Sequence, residues 1–86
     1  MDFYRIEFTR SAEKDLRNID KAKIAAIYRE IEQLKSSPRP QGVKKLTGAQ
    51  RTYRIRIGDY RVVYEIEDEV LLILVIRIAH RKDVCR

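Results

Sequence analysis

Gly58-Asp59 lies between two runs of alternating residues, 53–57 and 60–66, and this arrangement restricts the chain more than any other feature. A two-residue loop of this kind closes an antiparallel hairpin and fixes its register. Ile57 then opposes Tyr60, Arg56 opposes Arg61, Ile55 opposes Val62, Arg54 opposes Val63 and Tyr53 opposes Tyr64. Opposed residues share a face. One face therefore holds Tyr53, Ile55, Ile57, Tyr60, Val62 and Tyr64 and calls for cover, while the other holds Arg54, Arg56 and Arg61. Arg56 across from Arg61 is a repulsive pair unless an anion sits between them.

The rest of the chain supplies the cover. Residues 3–8 alternate, with Phe3, Arg5 and Glu7 on one side and Tyr4, Ile6 and Phe8 on the other, as in a strand with one apolar face. A helix is expected from about Ser11, with Ala12, Leu16 and Ile19 as its buried stripe. Asp20 suits the N-cap of a second, longer helix, on which Ile24, Ile27, Tyr28, Ile31 and Leu34 recur at helical spacing. Pro38 and Pro40 end it, since neither can continue a helix. Residues 70–79 are almost continuously apolar, as in a central strand covered on both faces. The order predicts an α+β fold: an N-terminal strand, two helices and a three-strand antiparallel meander. The helices pack on one face of a four-stranded antiparallel sheet, with the first strand beside the last. Eighty-six residues make one domain, 1–86.

Charge is unevenly placed. Residues 1–37 carry eight Lys/Arg against seven Asp/Glu, close to neutral. From Arg39 to Arg61 there are seven basic residues and one acid, and from Arg77 onward four and one. Glu65, Glu67, Asp68 and Glu69 form an acidic corner between them. The net charge of +6 is thus concentrated, which favours a site for a polyanion over general solubilisation. A basic strand face can also simply solvate a sheet, and Glu65 shares that face. Three arginines on one side of a hairpin, flanked by basic segments, make the anion site an equally good reading.

Other chemistries find less support. Cys85 is the single cysteine, so no intrachain disulfide forms; with no signal-like segment at the start, a cytoplasmic address is expected. The longest apolar run, 70–76, is too short to span a bilayer, so no membrane partner is expected. One His and one Cys make no metal cluster, and Gly42, Gly48 and Gly58 make no phosphate loop; neither metal nor cofactor is expected. The segment 79–86 places His80, Arg81, Lys82 and Cys85 just past the last strand. Which of Arg77 and His80 shares the face of Arg61 depends on the turn at Asp68-Glu69, and the sequence leaves this open.

The stretch YRIRIGDYRVVYEI, followed by an apolar strand and HRKDV, resembles the RelE branch of the RelE/ParE toxin superfamily; the leading YRIEFTRSAEKDL and the VKKLTG before the hairpin fit as well. The resemblance implies a RelE-like fold related to microbial ribonucleases, and the toxin of a type II toxin–antitoxin pair. It implies an mRNA endonuclease that cuts in the ribosomal A site without a metal, by attack of the 2′-hydroxyl on the adjacent phosphate. Carried over by position, Arg54 and Arg56 contact the scissile region, while Arg61 and Arg81 hold the phosphate. His80 and Cys85 are the candidates for proton transfer, Cys85 standing where relatives commonly carry a tyrosine. Lys44, Lys45, Arg51, Arg77 and Lys82 add contacts to ribosomal RNA. The implied partners are an acidic antitoxin, mRNA with ribosomal RNA, and operator DNA bound as a toxin–antitoxin complex. The alternatives are a ParE-like inhibitor of DNA gyrase and a catalytically weakened RNA-binding or repressor form.

Overall fold

The computed structural model describes residues 3–48 and 50–80. The elements run β1 (Arg5–Phe8), α1 (Arg10–Arg17), α2 (Lys21–Gln33), β2 (Lys44–Lys45), β3 (Thr52–Ile57), β4 (Tyr60–Glu67), a 3-10 turn (Asp68–Val70) and β5 (Leu72–His80). The sheet order is β1-β5-β4-β3-β2.

Each helix begins where a side chain satisfies a free N–H. Thr9 is the N-cap of α1 and accepts from Ala12 N at 3.1 Å, one residue earlier than the expected start; Asp20 caps α2, accepting from Ala22 N at 3.2 Å. Both helices cover one face of the sheet. Ala12, Leu16, Ile19, Ile27, Ile31 and Leu34 meet Ile55, Val62, Tyr64, Ile66, Ile73, Val75 and Ile78 in a single core. Tyr28 departs from the expected stripe and is 41% exposed, meeting Phe8 edge-on with ring centroids 6.0 Å apart. Four aliphatic residues already fill the contact beneath α2, and Tyr28 lies at their margin.

The sheet differs from expectation in two ways. It has five strands, because Lys44 and Lys45 pair with Arg54 and Tyr53 as an extra edge strand. Two residues are too few to show a period, so this strand left no signal. The sheet is also mixed: β1 runs parallel to β5, pairing Arg5 with Leu72 through Phe8 with Val75. Alternation specifies faces, not strand direction, so adjacency was legible and polarity was not.

β5 decides where the basic residues go. Phase counted from Ile73 and Val75 would send Arg77 into the core. A β-bulge prevents this: Tyr64 pairs with Val75 but Val63 pairs with Arg77, leaving Ile76 as the extra residue. The phase flips, so Ile78 is buried and Arg77 stands on the outer face with Val63. The outer face of β5 is not covered as expected; among the described residues Leu72, Leu74 and Ile76 are half-buried there.

Candidate nucleic-acid interface

The expected hairpin register holds at every pair, from Tyr53–Tyr64 to Ile57–Tyr60, with Gly58 at φ 59° in the turn, a conformation that glycine adopts without strain. Arg56 is directly opposite Arg61, and Lys44 is directly opposite Arg54. The outer face near the turn thus carries two staggered pairs of cations, Lys44–Arg54 across β2 and β3 and Arg56–Arg61 across β3 and β4. A shallow concavity of about 240 Å³ is lined by Gly42, Lys44, Arg54, Arg56 and Arg61. Arg56 Nε donates to Gly58 O at 3.0 Å, which turns its guanidinium toward the hairpin tip. The ion pairs formed among the described residues involve none of these four cations. Glu65 shares the face but lies further along, between Thr52 and Leu74.

The other candidate residues are placed differently. Arg77 reaches around the free edge of β5 to Asp15 of α1, with Nε to Oδ2 at 2.9 Å; the same carboxylate oxygen accepts from Ile78 N at 2.9 Å. His80 pairs with Tyr60 and packs edge-on against its ring at 5.2 Å, so it belongs to the face opposite Arg61. Lys45 pairs with Tyr53 and also lies on that opposite face. Arg51 leans toward the acidic corner, 3.7 Å from Glu67. Arg81, Lys82 and Cys85 lie outside the described residues.

A clasp that sequence reasoning missed holds the loop leading into β2. Arg39 Nη2 donates to Asp68 Oδ2 at 2.9 Å, its Nε donates to the Tyr53 hydroxyl at 3.2 Å, and its guanidinium lies over the Tyr53 ring. Tyr4 donates to Asp68 Oδ1 at 2.6 Å. The hydroxyl of fully buried Tyr64 donates to Pro38 O at 2.7 Å. Hydrogen bonds from Arg39 and Tyr4 hold the Asp68 carboxyl below its usual range. The bond to Asp68 pushes the Tyr4 hydroxyl up, and burial pushes Tyr64 up. Together these contacts deliver Gly42 and Lys44 to the rim of the basic concavity. They join residues up to 64 positions apart, so no local pattern announced them.

Residues 6–84 match the family described as the ParE toxin of the type II toxin-antitoxin system parDE. The chain is 30% identical to the toxin RelG of Mycobacterium tuberculosis over 84 residues, covering 96% of this chain and 97% of that one. In structure it is similar to the toxin in the archaeal RelE-RelB complex of Pyrococcus horikoshii, at TM-score 0.82 and 28% identity over 95% of this chain and 99% of the other. It is also similar to a chain of the intact Escherichia coli RelBE complex, at TM-score 0.81 and 26% identity over 96% and 99%. A basic hairpin face on this sheet order, matched almost end to end in sequence and in shape, makes this chain a member of the RelE/ParE superfamily of type II toxin–antitoxin toxins.

Proposed function

We propose that the chain is a ribosome-dependent mRNA endonuclease working from the face of Arg54, Arg56 and Arg61. The observation that carries this reading is the directly opposed Arg56–Arg61 pair on an open surface, without an acidic partner among the described residues. Such a pair is electrostatically unfavourable alone and becomes favourable around a phosphate. In the proposed reaction the 2′-oxygen bonds to the adjacent phosphorus and the bond from phosphorus to the 5′-oxygen breaks, leaving a cyclic phosphate and a 5′-hydroxyl. One proton leaves the 2′-hydroxyl and one reaches the 5′-oxygen. Arg61 and Arg56 stabilise the negative charge that builds on the non-bridging oxygens, with Arg81 as a third cation. Arg54 and Lys44 hold the neighbouring backbone. Cys85 remains a candidate for moving the protons, whereas His80 packs against Tyr60 on the face away from Arg61. Activity on the ribosome places the protein in the cytoplasm.

Mapping mRNA ends in cells expressing the chain tests this. Wild type is expected to cut inside translated codons, and Arg61→Ala to lower cleavage by roughly 10²-fold, as removal of one charge-stabilising donor does. Cys85→Tyr is expected to raise it. Growth arrest with intact ribosome-bound mRNA would overturn the reading.

The RelE chains of Pyrococcus horikoshii and Escherichia coli are found in complexes with RelB. By analogy this chain has its own antitoxin, an acidic segment able to mask the basic concavity, with affinity that falls as salt rises. The matched family description names ParE, which supports a second reading, inhibition of DNA gyrase. DNA-damage signalling with unaffected translation would select it.

A further inference from the structure

β5 outruns its neighbour on one side. β1 pairs with residues 72–75 only, and beyond them α1 packs along the edge in its place. Side chains from this helix and its cap then do what a strand's peptides would. Thr9 Oγ1 donates to Ile76 O at 2.8 Å, and Asp15 Oδ2 accepts from Ile78 N at 2.9 Å. Asp15 also holds Arg77, Nε to Oδ2 at 2.9 Å, and its side chain is only 17% exposed, whereas Glu13, the other acid of α1, is exposed. The end of β5 secured in this way carries Arg61. Ile57 and Tyr60 close a two-residue loop and form a hydrogen-bonded pair, which makes Arg56–Arg61 a non-hydrogen-bonded one. The N–H and C=O of Arg61 therefore point away from β3, toward its partner Ala79 on β5. Ile66 N, five residues on, donates to Arg51 O on the side of β3 at 3.0 Å, as this alternation requires.

We propose that Asp15 is a positioning residue for the RNA cleavage proposed above, an inference that rests on that reading. It holds residues 77–79 against β4, and so fixes the main chain from which Arg61 reaches the phosphate. The path is short: Asp15 to Ile78 N, one peptide bond to Ala79, and the ladder from Ala79 to Arg61. The bulge gives the clamp its importance. Ile76 interrupts the ladder between the pairs Tyr64–Val75 and Val63–Arg77, so the last residues of β5 are not tied to the regular stretch behind them. Burial of Ile78 sets which way these residues face, but not how closely they follow β4. Without the carboxylate, Ile78 N is a part-buried donor that has lost its partner, and the strand end is free to draw away from β4. Catalysis is more sensitive to such movement than binding is, since a misplacement of ~1 Å can cost about 10²-fold in rate. Lys44, Arg54 and Arg56 stand on β2 and β3, so RNA is still held when Arg61 is misplaced.

Single-turnover cleavage of mRNA on programmed ribosomes tests the proposal, with RNA affinity from fluorescence anisotropy and amide exchange from NMR on the same proteins. Asp15→Ala is expected to lower the cleavage rate about tenfold while changing RNA affinity less than about twofold. Its Arg61 and Ala79 amides are expected to exchange roughly tenfold faster than in wild type. Asp15→Asn keeps an oxygen for Ile78 N and is expected to recover most of the rate and of the protection. Asp15→Leu, close in size and without an acceptor, should match Asp15→Ala and stands in for it if truncation unfolds the chain. Every comparison is made at a temperature where circular dichroism shows the variants folded. Unchanged exchange at Arg61 and Ala79 overturns the proposal, as does a loss of rate that Asp15→Asn does not recover. So does an equal loss of rate and affinity, the mark of a contact that supports the fold alone. A wild type that cuts no RNA overturns the nuclease reading and this proposal with it; a wild type that cuts, but no faster than Asp15→Ala, overturns this proposal alone.

Discussion

Under the proposed function, Arg61 serves binding at the expense of the hairpin. It stands across from Arg56, and like charges at opposed positions destabilise a strand pair by a few tenths of a kcal/mol. Arg61→Thr is therefore expected to raise stability by about 0.5 kcal/mol at low salt while weakening RNA binding. Urea denaturation with and without a polyanion checks both: the polyanion should stabilise wild type more than the variant. Tyr64 shows the opposite case, a polar atom kept inside because it is satisfied. Tyr64→Phe leaves Pro38 O without its donor and is expected to cost about 1 kcal/mol in the same assay. Arg56 against Arg61 was legible from the sequence, because a two-residue turn and a period of two leave one register. The Tyr64–Pro38 contact was not, since nothing in the chain marks which buried hydroxyl a distant loop will meet.

Two elements depend on features that alternation alone does not encode. In β5 the extra residue Ile76 sets whether Arg77 or Ile78 enters the core. Deleting Ile76 removes the bulge but leaves Val75 inward, Arg77 outward and Ile78 inward in simple alternation, so the variant is expected to keep cooperative thermal unfolding, followed by circular dichroism. An apolar run identified β5 as a strand, but a run without alternation carries no phase, and so the bulge was hidden. The loop before β2 depends on the Arg39–Asp68 clasp. Asp68 is held below its usual range in the folded state. Its contribution is therefore present above the unfolded carboxyl value of about 3.9 and is lost as pH falls through the lower, folded value. Asp68→Asn should flatten the acid limb of the stability-versus-pH curve below about pH 4, followed by circular dichroism.

At the scale of the whole molecule, the uneven charge read from the sequence becomes a spatial division. Lys44, Arg54, Arg56 and Arg61 gather near one end of the outer face, and Glu65, Glu67 and Asp68 lie toward the other. Four cations on one single strand predict a slope of about −3 for log affinity against log salt, falling by about 0.7 in Lys44→Ala. Fluorescence anisotropy with a short RNA measures it. The α+β class, the order of the main elements and the covered face all followed from periodicity, because burial on one face enforces it over several residues. The fifth strand and the parallel polarity of β1 did not, because both are set by contacts between distant segments.

β2 has one further consequence. Its two lysines occupy the last position in the sheet and offer a charged, two-residue border. Such a border discourages a further strand from adding to it. Strand addition is therefore disfavoured at this border, and the protein is guarded there against growing into a fibre.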